Sequence, residues 1–252
     1  PGGSGSSKVH PHALGDNSSE DDAAFDGAYA RELATNTAAH DADHSFSGII
    51  FDVVSKSRWP MRLDSVSAAG RLGRVSVFVA RGGWREARYH DRARWHLAHE
   101  GQYPPSWVQA VELPLDACPV ELAPGETLAV YVHSAVGGDT GIRYQSVWTY
   151  RTVLAEDDAV MVLPGKGHTS PVPFDSRYGW FRGPRGLAGS VRYSIAVPSW
   201  SPASHPRFPP PFRSSVRLLL LAHTRKECIL SIIPRDQLLR IVEALPWDGF
   251  AA

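Results

Sequence analysis

An antiparallel β-sandwich of jelly-roll or Greek-key type, mainly β with a small C-terminal helical unit, is the fold that the 252-residue sequence predicts. Three observations predict it. Short runs between residues 48 and 197 alternate apolar and other side chains with period two, the repeat of a strand. Gly, Pro and Asp turn signals separate those runs, with no helical period between them. A helical stripe follows only after a proline-rich stretch.

Residues 1–45 come first and hold eight acidic side chains against two basic ones, a net charge of −6. Few large apolar residues accompany them, so little burial is available to offset the entropy of ordering, and a disordered acidic tail is expected. The β-sandwich domain is expected over 46–197. Its strands are read at 48–54, 63–69, 73–81, 93–100, 107–115, 126–135, 141–148, 159–163 and 188–197. In "GRVSVFVAR" Val75, Val77 and Val79 alternate with Ser76, Phe78 and Ala80, and "ETLAVYVHSA" repeats the pattern with Leu128, Val130 and Val132. "LPGKGHTS", residues 163–170, reads as a turn, because a phosphate-cradling Gly-x-Gly would need a following helix and Pro171 and Pro173 stand there instead.

Residues 198–215 carry six prolines in eighteen positions, which predicts a semi-rigid polyproline linker. The helical segment is expected over 216–252. Leu238, Leu239, Ile241, Val242 and Leu245 fall on one stripe, with Arg235, Asp236, Gln237, Arg240 and Glu243 opposite. Pro234 suits the first turn and Pro246 stops the helix. So short a helix is marginal in water, while burial of such side chains contributes about 1.5 to 3 kcal/mol each, so it must dock either on its own domain or on a partner.

Composition narrows the function classes. With 26 basic and 26 acidic side chains the chain has no net charge and no general attraction for nucleic acid or an anionic membrane. The longest purely apolar run, "LLLLA" at 218–222, is far below the roughly 20 residues a spanning helix needs, so no membrane crossing is expected. Two cysteines, Cys118 and Cys228, are too few for a disulfide framework and read as reduced thiols, which favours a cytoplasmic location. No secretory signal is visible, although a start at Pro1 leaves a removed leader open.

The order "SGIIFDVVSKS", "RVSVFVARGGW", "ARWHLAHEG" and "VELPLDACPVELAPGETLAVYVHSAVGGDTGIRY" resembles the β-sandwich of the PHR family, in the versions seen in protist and algal proteins. The resemblance spans about 46–197. It implies a protein-interaction module of the kind found in ubiquitin-ligase components. "LSIIPRDQLLRIVEALPW" resembles the opening of an F-box, with Pro234 at the proline position, Leu238 and Leu239 as the paired leucines, Ile241 and Val242 after them, and Leu245 near the close. Ile233 stands where the pattern has leucine, and the chain stops soon after Phe250. These likenesses imply a non-enzymatic substrate adaptor that meets a ubiquitin-ligase scaffold through Pro234, Leu238, Leu239, Ile241, Val242 and Leu245.

No catalytic set is legible, and no cofactor or metal is expected. His40 and His44 lie at the edge of the acidic tail, and His96 and His99 fall on a strand where they point to opposite faces. Ten bases between Lys56 and Arg94 surround Trp59, Trp84 and Tyr89, a mixture that can contact single-stranded nucleic acid, but arginines decorating strand edges is the plainer account. Nucleic acid is not the expected partner. The alternative function is a carbohydrate-binding module, with Trp84, Trp107, Trp148, Tyr178 and Trp180 as the ligand platform, since Trp and Tyr combine a flat apolar face with one polar group.

Overall fold

The computed structural model describes residues 29–35, 44–118, 120–137, 140–175, 181–196 and 200–245. Fourteen strands form among them: β1 (Tyr29–Ala34), β2 (Ser45–Phe46), β3 (Gly48–Ser55), β4 (Met61–Gly70), β5 (Gly73–Arg81), β6 (His96–Tyr103), β7 (Ser106–Pro114), β8 (Val120–Leu122), β9 (Thr127–Ser134), β10 (Ile142–Ser146), β11 (Ala155–Glu156), β12 (Val160–His168), β13 (Phe181–Leu187) and β14 (Gly189–Ile195). Two helices follow, α1 (Pro210–Thr224) and α2 (Arg235–Glu243). The fold is mainly antiparallel β with a helical C-terminal part, as the periodicity predicts.

Two groups of strands are joined at β10. In one, β4 is central, with β14 and then β1 on one side and β8 and β7 along the other. In the other, β6, β5, β9, β3 and β12 lie side by side, with β13 and β11 on the far edge of β12. β10 pairs with β13 through Tyr144–Ser146 and with β2 and Gly70 through Ile142 and Arg143. Both groups feed one buried cluster. Ile49, Phe51 and Val53 of β3, Val75, Val77 and Val79 of β5, and Val130 and Val132 of β9 join Met61, Leu63, Leu113, Val191 and Tyr193.

The side chains between those positions are buried as well. Ile50, Phe78, Ala80, Ala129 and Tyr131 belong to a second, aromatic cluster that is closed by Trp84, Ala87 and Trp95 from the β5–β6 connection and by Phe174. A strand covered on both faces needs apolar residues at nearly every position, which is why "GIIFDVV" and "LAVYVHS" read as near-continuous runs. The connection itself leaves β5 at Gly82, whose φ of 78° is open to glycine at little cost, and Gly82 N–H donates to Thr127 O at 2.9 Å.

Four expectations are corrected. Six residues of the stretch read as an acidic tail form β1, which is held by a full antiparallel register with β14 from Tyr29–Ile195 to Ala34–Ser190. "GKG" is strand rather than turn: β12 runs on to His168 beside β3, with a bulge between Pro164 and Lys166. A Cβ on Gly165 would lie 2.3 Å from Ile50 O, so glycine marks close approach of two backbones here. The strand read at 93–100 starts at His96, after a 3-10 turn over Arg92–Arg94. α1 begins at Pro210, inside the stretch read as polyproline linker, because proline is tolerated in a first helical turn, where its missing N–H has no partner to lose.

Candidate functional site

Two surfaces carry the residues singled out from the sequence. The first is the helical unit. α1 docks through Phe212 and Val216, which are fully buried, and the aromatic ladder Trp59–Phe208–Phe212 ties it to the strands with ring centroids 5.3 and 5.1 Å apart. His223 Nε2–H donates to Ile233 O at 2.9 Å and so fixes the turn between the helices. α2 has nine residues, too few to persist alone in water, and it settles on the nearest apolar surface. Leu238 and Val242 are buried there, and Leu239 and Leu245 pack partly covered against the same core.

That placement divides the predicted partner set. Pro234 and Ile241 stay exposed, whereas Leu238 and Val242 serve the chain's own core. In their place four aliphatic side chains that the sequence reading did not select face outward: Leu218 (66% exposed), Leu221 (60%), Ile229 (77%) and Ile232 (77%). For Leu218 and Leu221 a signal was present. "LLLLA" is apolar all round, and a helix that docks along one side must leave part of such a run in water. Arg217, Arg225, Lys226, Arg235 and Arg240 are exposed on the same unit.

The second surface is an open cleft of about 730 Å³ over the outward side of β3 and β12. Its floor is Asp52, on β3 between the inward-facing Phe51 and Val53. Trp84 stands beside it and donates its backbone N–H to Asp52 Oδ1 at 2.8 Å. Burial pushes the Asp52 carboxyl up to about 7, against the Trp84 N–H and Arg85, which favour its charged form, and with Glu86, which opposes it. A Cβ on Gly83 would come within 3.1 Å of Asp52 Oδ2, so glycine keeps that oxygen uncrowded. Trp84 and Tyr150 form one wall, their rings 5.4 Å apart, and the Arg85 guanidinium lies 5.0 Å from both ring centroids. Trp148 is 98% exposed at the rim.

Further along β3 and β12, toward Gly48 and His168, a buried relay pins the segment after β12. His168 Nε2–H donates to Asp175 O at 2.9 Å, which leaves Nδ1 to accept the Tyr131 hydroxyl proton at 2.6 Å. His133 Nε2–H donates to Ser170 O at 3.0 Å. Burial lowers both imidazoles, His133 to about 4, so both are neutral near pH 7. Phe181 stacks on the His168 ring at 4.1 Å, and Tyr89 lies edge-on to Phe181 at 4.8 Å. The imidazole nitrogens in these bonds are occupied by structural partners, so the arrangement braces the wall that carries Trp84.

Of the predicted platform, Trp84 and Trp148 meet in the cleft. Trp107 lies elsewhere, on β7, where its carbonyl accepts from Arg143. Tyr178 and Trp180 lie outside the described residues, as does His40. Asp52, Arg85 and Tyr150 were not selected from the sequence, although an acid in the middle of an apolar strand was a signal. His96 is exposed while His99 is buried beside the Tyr103 hydroxyl at 2.6 Å, so the two do not converge. Among the described residues no group of three or more His, Cys, Asp or Glu is placed to hold a metal ion. Bases of the 56–94 stretch are engaged locally: Lys56 with Glu156, Arg62 with Asp64, Arg74 with Glu100 and Arg81 with Glu126. Among the described residues no helix is long and apolar enough to cross a membrane. Comparisons with protein-family models, curated proteins and solved structures return no match.

Proposed function

We propose that this protein is a non-enzymatic protein-interaction module, with the outward side of its C-terminal helical unit as the docking surface. One observation carries the reading. Leu218, Leu221, Ile229 and Ile232 stand 60 to 77% exposed on a unit whose inward side is already docked. Covering such a side chain contributes about 1 to 2 kcal/mol each, a gain that is set against the cost of association. Five exposed bases accompany them against the acids Glu227, Asp236 and Glu243, so the matching partner presents an apolar groove with an acidic rim. The F-box-like sequence implies a ubiquitin-ligase scaffold as the partner; on this reading it is met through these aliphatics and the exposed Pro234 and Ile241, not through Leu238 and Val242, which are buried.

The test is a titration of the full chain against a purified F-box-binding scaffold subunit at two salt concentrations. The expected result is a complex that weakens with salt and at least about tenfold in the Ile229→Asp, Ile232→Asp double variant. No complex, or one indifferent to both substitutions, removes the proposal.

A further inference from the structure

The cleft at Asp52 and Trp148 has no part in that docking surface, and its chemistry is different. We infer that it is a binding site for a neutral carbohydrate, with a sugar ring stacked on Trp148 and its hydroxyls bonded to Asp52 and Arg85.

Three features of the cleft select this class. Shape comes first: an indole 98% exposed at the rim offers a flat apolar face, the form that matches the C–H face of a pyranose ring. Its volume, about 730 Å³, lies in the range of small-ligand sites.

Charge comes second. The lining mixes two acids, Asp52 and Glu86, with two bases, Arg85 and Arg151, and Asp52 is only partly charged near pH 7, so no field of one sign is built up for a strongly charged ligand. The position where a cationic ligand would sit on the aromatic wall is already filled, because the Arg85 guanidinium lies 5.0 Å from the centroids of both Trp84 and Tyr150. A second cation there would meet that charge directly.

Hydrogen-bonding capacity comes third. Asp52 Oδ1 accepts the Trp84 N–H, and among the described residues no hydrogen bond reaches Oδ2, which faces the space that Gly83 leaves open. The carboxyls of Asp52 and Glu86, of which Asp52 can also donate when protonated, the guanidinium donors and the hydroxyls of Thr127 and Thr149 together suit ligand groups that both donate and accept. Sugar hydroxyls do both. A proline-rich peptide would also stack on Trp148, but its proline amides donate nothing to Asp52 or Glu86, so it brings fewer donors than a sugar.

The experiment is a glycan array covering neutral, acidic and amino-sugar glycans together with a set of proline-rich peptides, probed with the full chain. Each hit is followed by calorimetry on wild type, Trp148→Ala, Trp148→Phe and Asp52→Ala. The inference expects a neutral glycan to bind, with affinity lost at least about tenfold in Trp148→Ala, largely kept in Trp148→Phe, and reduced in Asp52→Ala. Trp148 touches solvent on almost all sides, so its variants fold, and an unchanged thermal midpoint verifies this. If no neutral glycan binds, if only charged glycans or the peptides do, or if Trp148→Ala binds as well as wild type, the inference is overturned.

Discussion

The wall of the cleft and the outside of the helical unit are both apolar, but they are built differently. Around Trp84 every ring has a neighbour, with Tyr89 at 5.7 Å and Tyr150 at 5.4 Å, and polar groups are interleaved with the rings. On the helical unit Leu218, Leu221, Ile229 and Ile232 are aliphatic and stand in water. Rings flanked by a carboxylate and a guanidinium orient a small polar ligand, whereas bare aliphatics gain only from being covered. The difference teaches that apolar exposure must be read with its polar surroundings: one surface has the make-up of a selective site, the other of an adhesive one.

The strongest way to break this contrast is to loosen the helical unit from below. Phe212→Ala removes a fully buried ring from the Trp59–Phe208–Phe212 ladder and is expected to cost about 3 to 5 kcal/mol in chemical denaturation. A cost under about 1 kcal/mol would mean that the unit is not docked as described. Limited proteolysis after Arg225 or Lys226 is expected to quicken in the same variant.

The buried relay supplies the next largest effect. The folded state holds His133 neutral down to about pH 4, whereas the unfolded chain takes up the proton near the ordinary 6.5. Stability is therefore present above 6.5 and lost as pH falls between 6.5 and 4, and His168, also lowered by burial, adds in the same direction. His133→Gln can keep the bond to Ser170 O without titrating. Thermal melts across that window should show about 2 to 3 kcal/mol less acid destabilisation in the variant, and parallel profiles would contradict the relay.

Asp52 works in the opposite sense and more weakly. Its folded-state pKa of about 7 stands above the ordinary 3.8, so the fold keeps a proton that the unfolded chain releases, and stability falls as pH rises from 3.8 through 7. Asp52→Asn is expected to gain about 1 to 2 kcal/mol over wild type at pH 8, after allowance for water in the open cleft, and nothing below pH 4. A gain of equal size at both pH values would assign the effect to packing. Smallest of all is Leu221→Ser with Ile232→Ser: both positions face outward, so folding stability should stay within about 0.5 kcal/mol while affinity for the scaffold drops.

Much of the fold is legible because period two survives burial. β3, β4, β5, β7, β9, β10 and β14 lie within two residues of their expected bounds at most ends, since Val, Ile and Leu at alternate positions mark the inward side. What escapes is structure made by pairing rather than by local pattern. "YARELA" has no strong strand signal, and β1 exists because β14 offers it an open edge. β12 runs through "GKG" because Gly165 and Gly167 let it pass close to Ile50 O and the Phe46 ring, a contact no local window contains. The site divides the same way. Trp84 and Trp148 are readable as aromatic residues in loops, but Asp52 becomes Trp84's neighbour only when the β5–β6 connection folds back over β3, and shares the cleft with Trp148 of the β10–β11 connection. The α2 stripe is readable as a stripe, yet its direction depends on where Trp59 and Phe212 stand.

That direction can be measured by hydrogen–deuterium exchange of the full chain with and without the purified scaffold subunit. The account predicts that amides at 238–242 are already protected in the free chain and change little, while protection on binding appears over 217–232. Protection that appears at 238–242 only with the scaffold, or no change anywhere, would contradict it.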